Sequence, residues 1–296
     1  MTETGSLLGQ TRGLLRRFHL GARKGLGQHF LIDREVLSLI ISAAELTPDD
    51  IVVEIGPGLG VLTRELAIQV GRVITVELDN KLAGILEQTL AAFNNVTIIN
   101  EDILNIIPEI LLEEQSSSLP AVQNYHLHYK VVANLPYYIT SPVLRHFLEA
   151  SVKPELIVVM VQKEVANTIV ATPGEMSLLS IGIQLYGKPS IVSYVPAECF
   201  YPAPEVDSAI LRIDLYPEPA AGVSDEAGFF ELVRAGFATP RKQIVNSLAY
   251  GLGVSKAEVL PLLEKAGITG QRRAETLTLD EWSELWQAYT QLKEGN

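Results

Sequence analysis

Between residues 51 and 162, short apolar runs alternate along the chain with segments of helical periodicity. The runs are rich in Val and Ile, which favour strands, whereas segments 61–69 and 80–93 place apolar residues three and four positions apart. This alternation is typical of β-α-β units that build a parallel sheet. The predicted strands are residues 51–55, 73–78, 96–100, 130–133 and 156–161.

Two later β-rich runs, residues 191–195 and 208–215, have no helical segment between them and predict an antiparallel edge on the same sheet. Between the fourth and fifth strands, Ser141-Pro142 predicts a helix that begins with an N-cap serine followed by proline at the first helical position. The pattern as a whole predicts a doubly wound, mostly parallel sheet with helices on both faces, a Rossmann-like α/β fold.

The stretch 216–228 is rich in Pro, Ala and Gly, and the residues after it have helical periodicity. We therefore expect an α/β domain over residues 1–217 and a small all-helical domain over 218–296. A chain of 296 residues with 47% hydrophobic content can bury a large core and a second, smaller one.

Composition also limits the class of protein. The longest apolar run, 156–161, is far shorter than the roughly 20 residues of a membrane span, and the start lacks a signal peptide's features. We expect a soluble, cytoplasmic protein. Cys199 is the only cysteine, which excludes internal disulfides and cysteine-based zinc sites. His126 and His128 form an isolated pair without further ligands, so no metal is expected.

The net charge of −12 disfavours a nucleic-acid partner, because a protein that grips phosphates needs cations. Any RNA contact must then come from local basic patches. Solvated surface is the alternative interpretation of each patch. The candidates are Arg12, Arg16, Arg17, Arg23 and Lys24 near the start, Arg241 with Lys242, and Arg272 with Arg273.

A glycine-rich turn follows the first predicted strand. Gly56, Gly58 and Gly60 lie between that strand and a helix, where a ligand must approach bare backbone. Glu77 ends the second strand, about where an acidic side chain binds a ribose hydroxyl in nucleotide-binding folds, and Asp102 follows the third strand. All of these residues should lie at the carboxyl edge of the sheet, where open α/β folds bind ligands.

The spacing of these glycines favours S-adenosylmethionine as the ligand. The dinucleotide fingerprint is G-x-G-x-x-G, whereas Val61 stands where its third glycine would be. The acidic Glu54 before the turn favours the same interpretation. A dinucleotide-dependent oxidoreductase and a purely structural turn are the alternatives at this point.

Directly after the fourth strand, Asn134-Leu135-Pro136-Tyr137 resembles the (N/D)-P-P-(Y/F/W) motif of methyltransferases that act on amino nitrogens. The lone pair of an adenine N6 is delocalised into the ring, so direct attack on the methyl group needs the nitrogen rehybridised towards tetrahedral. Two acceptors fixed on the amino hydrogens favour that shape and stabilise the positive charge that develops on nitrogen. The Asn134 side-chain oxygen and the Leu135 carbonyl are the natural pair. Pro136 stiffens the turn and Tyr137 can stack on the base.

The amino group of a paired adenine is already engaged, so the target base must be unpaired or flipped out of its stack. Aromatic side chains then take the place of the stacked neighbours. Phe200 and Tyr201 are the candidates for the wall opposite Tyr137, with a role as plain core aromatics as the alternative.

These motifs together resemble the family of ribosomal RNA adenine N6,N6-dimethyltransferases, in particular the bacterial small-subunit enzymes that dimethylate two adjacent adenines near the 3′ end of 16S RNA. The resemblance covers about residues 22–286. It rests on the segments RKGLGQHFL from Arg23, EIGPGLG from Glu54, VANLPYYITSPVL from Val132, VQKEVA from Val161, FYPAPEVDSAILRI from Phe200, PRKQIVNSL from Pro240 and RAETL from Arg273.

The resemblance implies an S-adenosylmethionine-dependent enzyme of the class I methyltransferase fold, without a metal and without a membrane. It places the cofactor against His29, Leu31, Gly56, Glu77, Asp102 and Asn134, and Gly58 belongs to the same turn. It also implies that the helical domain and the basic patches bind 16S RNA within the small subunit during its late assembly. Nothing in the sequence demands more than a monomer.

Four departures from the family pattern leave the Asn134 motif unchanged and concern cofactor affinity and, more strongly, the grip on substrate. His29 stands where the family usually has Asn in GQNFL. Ala203 and Glu205 replace a proline and a lysine of the FxPPPKVDSA motif, and Val245 stands where an arginine is frequent. The run after Gly174 is shorter than in the family and differs in sequence.

Two rival functions share much of this pattern. A large-subunit adenine methyltransferase of the macrolide-resistance type has the same fold and a similar tetrapeptide, although the NLPY leucine, PRKQIVNSL and RAETL favour the small-subunit enzyme. A non-catalytic RNA-binding assembly factor is the rival from another class, and the intact tetrapeptide argues against it.

Overall fold

The computed structural model describes residues 6–21, 28–116, 128–223 and 225–294. Helices and strands alternate up to the sixth strand, and four helices close the chain. Over the described part of the chain, no helix combines the length and the apolar character that crossing a membrane requires.

The strands are β1 (Phe30–Leu31), β2 (Ile51–Ile55), β3 (Arg72–Val76), β4 (Val96–Ile99), β5 (Lys130–Asn134), β6 (Leu156–Gln162), β7 (Gly187–Val195), β8 (Phe200–Tyr201) and β9 (Ser208–Leu215). The helices are α1 (Leu7–Arg17), α2 (Arg34–Ala43), α3 (Val61–Gln69), α4 (Asn80–Thr89), α5 (Pro108–Ser116), α6 (Thr140–Leu148), α7 (Lys163–Ile169), α8 (Leu178–Gln184), α9 (Glu226–Gly236), α10 (Ile244–Leu252), α11 (Lys256–Lys265) and α12 (Leu279–Glu294).

Seven strands form one sheet in the order β4-β3-β2-β5-β6-β9-β7. The pairs from β4 to β6 are parallel, and β9 pairs antiparallel with β6, which confirms the predicted doubly wound sheet with an antiparallel edge. The chain proceeds outward in one direction from β2 to β4 and then in the other from β5 to β6. The order therefore reverses between β2 and β5, and such a switch point opens a crevice at the carboxyl ends of the strands.

The central strands lie in the core because their residues are apolar on both faces. Val52, Val53, Val132 and Val158 are completely buried, as expected for a parallel sheet covered by helices on both sides. Several helices begin after residues whose side chains cap the first turn. Asp79, for example, caps α4 by accepting from the backbone N–H of Lys81 at 2.9 Å.

The second strand was predicted over 73–78, but β3 ends at Val76, so Glu77 follows the strand. Two predicted helix boundaries were also wrong. Helix α6 begins at Thr140, immediately after a 3₁₀ turn at Tyr137–Ile139, and its N-cap is Ile139 rather than Ser141. Pro142 therefore occupies the third helical position, where it is tolerated because N–H groups of the first turn have no acceptor within the helix. Helix α4 ends at Thr89 and not at residue 93.

A two-stranded antiparallel ladder, separate from the large sheet, joins β1 to β8. Phe30 pairs with Tyr201 and Leu31 pairs with Phe200. Successive side chains of a β-strand point to opposite faces, so each two-residue strand has one side chain on each face. Leu31 and Phe200 belong to the main core cluster, whereas Phe30 and Tyr201 pack in a smaller cluster with Leu15, Leu59 and Leu82.

The chain divides into two compact units: unit 1 comprises Met1–Ala166 and Ser190–Leu215, and unit 2 comprises Asn167–Pro189 and Tyr216–Asn296. The predicted boundary after residue 217 is close to the one at Tyr216. The sequence, however, assigned Asn167–Pro189 to the α/β domain. This segment groups with unit 2, where the backbone N–H groups of Gly174 and Met176 donate to the carbonyl of Glu275 at 2.8 and 3.2 Å.

Candidate active site

The largest set of predicted site residues lines one pocket in unit 1, at the carboxyl edge of the sheet and at the point where the strand order reverses. We call it the switch-point pocket. It encloses about 170 Å³. Its lining consists of the β1 segment Gln28–Leu31, the stretch Glu54–Leu59 with Val61 and Leu62, Val76–Leu78 with Leu82, Glu101–Ile103, and Asn134–Ile139.

The glycine turn brings bare backbone to the wall of this pocket. Gly58 has a left-handed backbone (φ 60°), and a Cβ atom there would lie 3.1 Å from the Phe30 ring. Glycine alone adopts this conformation without a steric penalty and leaves that space open. The turn thus presents backbone to a ligand, as its position after β2 predicts.

Glu77 is held in the pocket by the same turn. Its carboxylate accepts hydrogen bonds from the backbone N–H groups of Gly58 (3.2 Å) and Asp79 (2.8 Å), one on each oxygen. Burial raises the pKa of Glu77. The backbone N–H of Leu78 adds a third hydrogen bond. Two carboxylate oxygens offer about four acceptor sites, so acceptor capacity for a ligand hydroxyl remains, as a ribose requires.

Asp102 lies at the next strand end and is half-buried. One of its oxygens caps a 3₁₀ turn by accepting from the N–H of Leu104 at 3.0 Å. Ile103 beneath it is buried, and the exposed Leu78 and Tyr138 line the same region. An apolar slot with one carboxylate at its end suits a purine ring that carries an exocyclic amino group.

Glu54 is a site residue that the sequence analysis did not include among its ligand contacts. It is 1% exposed and lines the pocket, and its Oε2 atom has no hydrogen-bond partner in the described part of the chain. Burial, reinforced by the charge of Glu77, raises the pKa of Glu54 to about 8. A buried polar atom without a partner is costly, so a cationic or hydrogen-bond-donating ligand fits this end of the pocket. The signal in the sequence was an acidic residue at the end of a strand, two positions before the first glycine.

The tetrapeptide after β5 forms the wall next to the glycine turn. The Asn134 side-chain nitrogen donates to the carbonyl of His29 at 3.2 Å, which turns the side-chain oxygen away from that carbonyl. The Leu135 N–H donates to the carbonyl of Met160 at 3.2 Å, so the peptide is fixed to β6. The Asn134 side-chain amide and the Leu135 residue carry the two predicted acceptor oxygens. Each is held in place by a hydrogen bond that its own N–H group donates.

Tyr137 is held at both ends. Its hydroxyl shares a hydrogen bond of 2.7 Å with the Ser208 hydroxyl, and its ring stacks on that of His29 with centroids 5.9 Å apart. Burial, together with the charge of Asp207, raises the pKa of Tyr137. His29 is fixed in turn, because its Nδ1 donates to the Pro202 carbonyl at 2.7 Å. The wall therefore consists of two connected rings.

The predicted position of Phe200 in the pocket is corrected by the structure. Phe200 is 2% exposed, packs in the main core cluster, and does not line the switch-point pocket. The physical reason is the alternation of side chains on β8, which directs Phe200 to the core. Tyr201 packs instead against the cluster that contains Phe30 and Leu15. Leu31 has two roles, because it is buried in the main core cluster and also lines the switch-point pocket.

The predicted RNA-binding residues have different surroundings. Arg23 and Lys24 lie outside the described residues. Arg241 and Lys242 are exposed on the connection before α10. Arg272 is not a free surface cation, because its guanidinium pairs with Glu281 and donates to the Thr276 carbonyl. Arg273 is more exposed and lies 3.5 Å from Glu275.

No group of three or more His, Cys, Asp or Glu side chains is arranged to hold a metal ion within the described ranges. His128 pairs with Glu155. His126, the other member of the His pair, lies outside the described residues.

Comparisons with known proteins point in the same direction as this geometry. The model of the ribosomal RNA adenine dimethylase family matches residues 20–291. Ribosomal RNA small subunit methyltransferase A of Dehalococcoides mccartyi is 53% identical over 292 residues, which cover 98% of this chain and 96% of that protein. The protein of the same name from Pelotomaculum thermopropionicum is 44% identical over 277 residues, 93% of each chain.

Two solved structures share the architecture. The crystal structure of the 23S rRNA methyltransferase ErmE matches with a TM-score of 0.66 at 29% identity, covering 88% of this chain and 98% of that one. A dimethyladenosine transferase from Plasmodium falciparum matches with a TM-score of 0.71 at 24% identity, covering 89% and 98%, and shows the same fold.

Proposed function

The chain belongs to the ribosomal RNA adenine dimethylase family, and from that membership we propose that it dimethylates N6 of two adjacent adenines near the 3′ end of 16S RNA, late in small-subunit assembly. It is an S-adenosylmethionine-dependent methyltransferase. The relatives named small subunit methyltransferase are 53% and 44% identical, whereas the 23S enzyme is 29% identical, which favours the small-subunit substrate.

The observation that carries the proposal is the geometry of Asn134. Its nitrogen is engaged by the His29 carbonyl, so its oxygen serves as an acceptor beside the Leu135 carbonyl. Two acceptors bound to the two N6 hydrogens draw the amino group toward a tetrahedral shape, which frees its lone pair. They also stabilise the positive charge that develops on nitrogen during transfer. Tyr137 holds the base by stacking.

The pocket fits the cofactor's parts one by one. We assign the ribose to Glu77, whose carboxylate retains acceptor capacity, and the adenine to the slot at Asp102. Gly56 and Gly58 supply bare backbone, His29 and Leu31 close the pocket from the β1 side, and the glutamate behind the turn suits a cationic group. When bound, S-adenosylmethionine supplies an electrophilic methyl group.

No strong base is required beside the target amine. Once methylated, the nitrogen is acidic and loses its proton to water or to an acceptor in the wall. The Asn134 and Leu135 oxygens then face a secondary amine with a single hydrogen, so the second transfer depends on the room in the pocket rather than on a second pair of hydrogen bonds.

We assign RNA binding to local groups of lysine and arginine side chains. We propose that Arg241 and Lys242 in unit 2, together with the N-terminal basic segment that contains Arg23 and Lys24, contact phosphates. Arg273 is a weaker candidate, and Arg272 serves the internal structure of unit 2. We further propose that the protein acts as a monomer.

Methyl transfer from labelled S-adenosylmethionine tests the proposal. Small subunits that lack the modification are the substrate, with large subunits in parallel, and the product nucleoside is identified by mass spectrometry. N6,N6-dimethyladenosine in small subunits alone is the expected result. Label in large subunits would instead identify a resistance-type enzyme, and cofactor binding without transfer to either subunit would indicate a non-catalytic assembly factor.

A further inference from the structure

A second cleft in unit 1 has no role in the chemistry described above. It lies between α1 and the turn that follows β8, and we call it the α1 cleft. Its volume is about 700 Å³, within the range of roughly 300–1,000 Å³ that is usual for small-molecule sites. Its lining includes Arg12, Arg16, His19, Tyr201 and Pro202.

The lining combines cations with an aromatic ring. Arg12 lies over the Tyr201 ring, with its guanidinium carbon 5.1 Å from the centroid. Arg16 and His19 are exposed at the end of α1, and no carboxylate of the described residues lines the cleft. Two arginines and no carboxylate among the described lining residues make this cleft basic, in a chain whose net charge is −12. Arginine and tyrosine faces that stack on bases, beside cations that bind phosphates, are the usual components of single-strand binding sites.

His19 occupies a position that favours glycine. Helix α1 ends with the N–H of Leu20 donating to the Leu15 carbonyl (2.8 Å) and that of His19 donating to the Arg16 carbonyl (3.2 Å). This is the Schellman pattern, in which the residue at the position of His19 adopts a left-handed backbone, here with φ 51°. Glycine would end the helix more favourably at this position. The chain instead has an imidazole there, on a strained backbone, and this imidazole lines the cleft.

The α1 cleft adjoins the switch-point pocket across the ladder of β1 and β8. Phe30 lines the pocket, and its partner Tyr201 lines the cleft. His29 lines the pocket and donates to the carbonyl of Pro202, which lines the cleft. A strand of RNA whose target adenine stacks on Tyr137 would therefore meet this cleft with a neighbouring nucleotide.

We propose that the α1 cleft is an RNA subsite that holds a nucleotide next to the target adenine. The base of that nucleotide stacks against the Arg12–Tyr201 pair, and its phosphate is bound by Arg16 and His19. This inference rests on the proposed function, since it takes the ligand to be the RNA strand that carries the target.

The test measures binding of a labelled RNA that matches the 3′ end of 16S RNA, at several salt concentrations, together with cofactor affinity. We expect the double variant Arg12→Gln/Arg16→Gln to bind RNA about tenfold more weakly. Its salt slope should be lower by about 0.7 for each phosphate of a single strand that the variant no longer neutralises. Cofactor affinity should not change. Arg34→Gln, which removes an exposed charge elsewhere in unit 1, is the matched control and should bind as the parent does.

His19→Gly separates binding from folding. Glycine relieves the left-handed backbone, so the variant should melt at the same temperature as the parent or higher. It should nevertheless bind RNA several-fold more weakly. RNA affinity and salt slope equal to those of the Arg34→Gln control, in both cleft variants, would overturn the proposal.

Adenosine monophosphate distinguishes an RNA strand from a free nucleotide as the ligand. If the cleft variants lose binding of the monophosphate while RNA affinity stays unchanged, the cleft is a free-nucleotide site and the RNA assignment is wrong. Because these measurements do not depend on methyl transfer, failure of the proposed function would show separately, as an absence of labelled product with the parent protein.

Discussion

The two clefts of unit 1 share a wall but have opposite charge. Among the described residues, four acidic side chains and no lysine or arginine line the switch-point pocket, whereas two arginines and a histidine line the α1 cleft. Of the four, Glu54 keeps its proton below its pKa of about 8. Phe30 and Tyr201 are cross-strand partners in the ladder of β1 and β8, and Phe30 lines the pocket while Tyr201 lines the cleft. A cofactor with a sulfonium and an amino group suits the first environment, and a phosphate chain suits the second.

This difference explains how an acidic protein can act on RNA. The net charge is a sum over the whole surface, but binding depends on the potential within each cleft. If the α1 cleft is the RNA subsite that we propose, an acidic pocket repels the phosphates that flank the target base, and the backbone stays on the basic side. The predictions below test this division, beginning with the largest effect.

Asn134→Ala should separate chemistry from binding most strongly. Loss of one acceptor aimed at the reacting amine should lower the rate of methyl transfer by about 100- to 1,000-fold, by analogy with the loss of one donor from an oxyanion hole. Affinities for cofactor and RNA should change much less. Single-turnover transfer and equilibrium binding measure the two effects, and Asn94→Ala, at an exposed loop position, is the control. Equal losses of rate and RNA affinity would contradict the assigned role.

Glu54→Gln tests the acidic character of the switch-point pocket through the pH dependence of stability. The folded pKa of about 8 lies above the ordinary value of 4.5, because burial disfavours the charged form. Between these values the folded state keeps a proton on Glu54 that the unfolded state has lost. The contribution of Glu54 to the free energy of unfolding is therefore complete below pH 4.5 and declines as pH rises towards 8. In this window the free energy of unfolding falls by about 1.4 kcal/mol per pH unit.

The measurement for Glu54 is urea unfolding of parent and variant between about pH 5 and 9, a window that spans the folded pKa. Glutamine keeps the size of the side chain but cannot ionise. The stability of the parent relative to the variant should therefore decline up to about pH 8 and stay level above it. The difference between the profiles reports Glu54 together with its coupling to Glu77, whose pKa is also raised. Parallel profiles would show that Glu54 is not a buried neutral acid.

Much of this pocket could be predicted from the sequence because its parts are local. A glycine turn after β2 and an Asn-Leu-Pro-Tyr turn after β5 follow strands that are visible as apolar runs, and parallel strands bring their carboxyl ends to one edge. Glu77 and Asp102 were found in the same way. The α/β class and the antiparallel edge followed from the same alternation.

The parts that sequence reasoning missed depend on contacts between distant residues. Nothing local indicates that α1 lies against Tyr201, far away along the chain, or that Phe200 faces the core. The register of a two-residue strand decides which of two neighbouring aromatics enters a site. The sequence predicts Arg272 as a surface cation, because its partner Glu281 lies on another element, helix α12.

Gly58→Ala tests the shared wall itself. The added Cβ would lie 3.1 Å from the Phe30 ring, in a backbone of φ 60° that costs other residues about 1–2 kcal/mol. We expect a loss of stability of that order and weaker cofactor binding, measured by thermal unfolding and calorimetric titration. Gly84→Ala is the control, because a Cβ at this position in α4 meets nothing within 4 Å and should stabilise the helix by about 1 kcal/mol. Unchanged cofactor affinity in Gly58→Ala would show that the turn does not contact the ligand.

His29→Asn should have the smallest effect, and it tests the connection between the two clefts. Asparagine, which the family resemblance predicts at this position, lacks the ring that stacks on Tyr137 and the Nδ1 donor to the Pro202 carbonyl. An aromatic pair contributes about 0.5–1.5 kcal/mol, which corresponds to a change of about 2- to 10-fold. If His29 couples the clefts, the variant should raise KM for the RNA substrate by this factor while kcat stays within about twofold. A fall in kcat with unchanged KM would instead place His29 at the reacting amine, because only an interaction made in the transition state lowers kcat in this way.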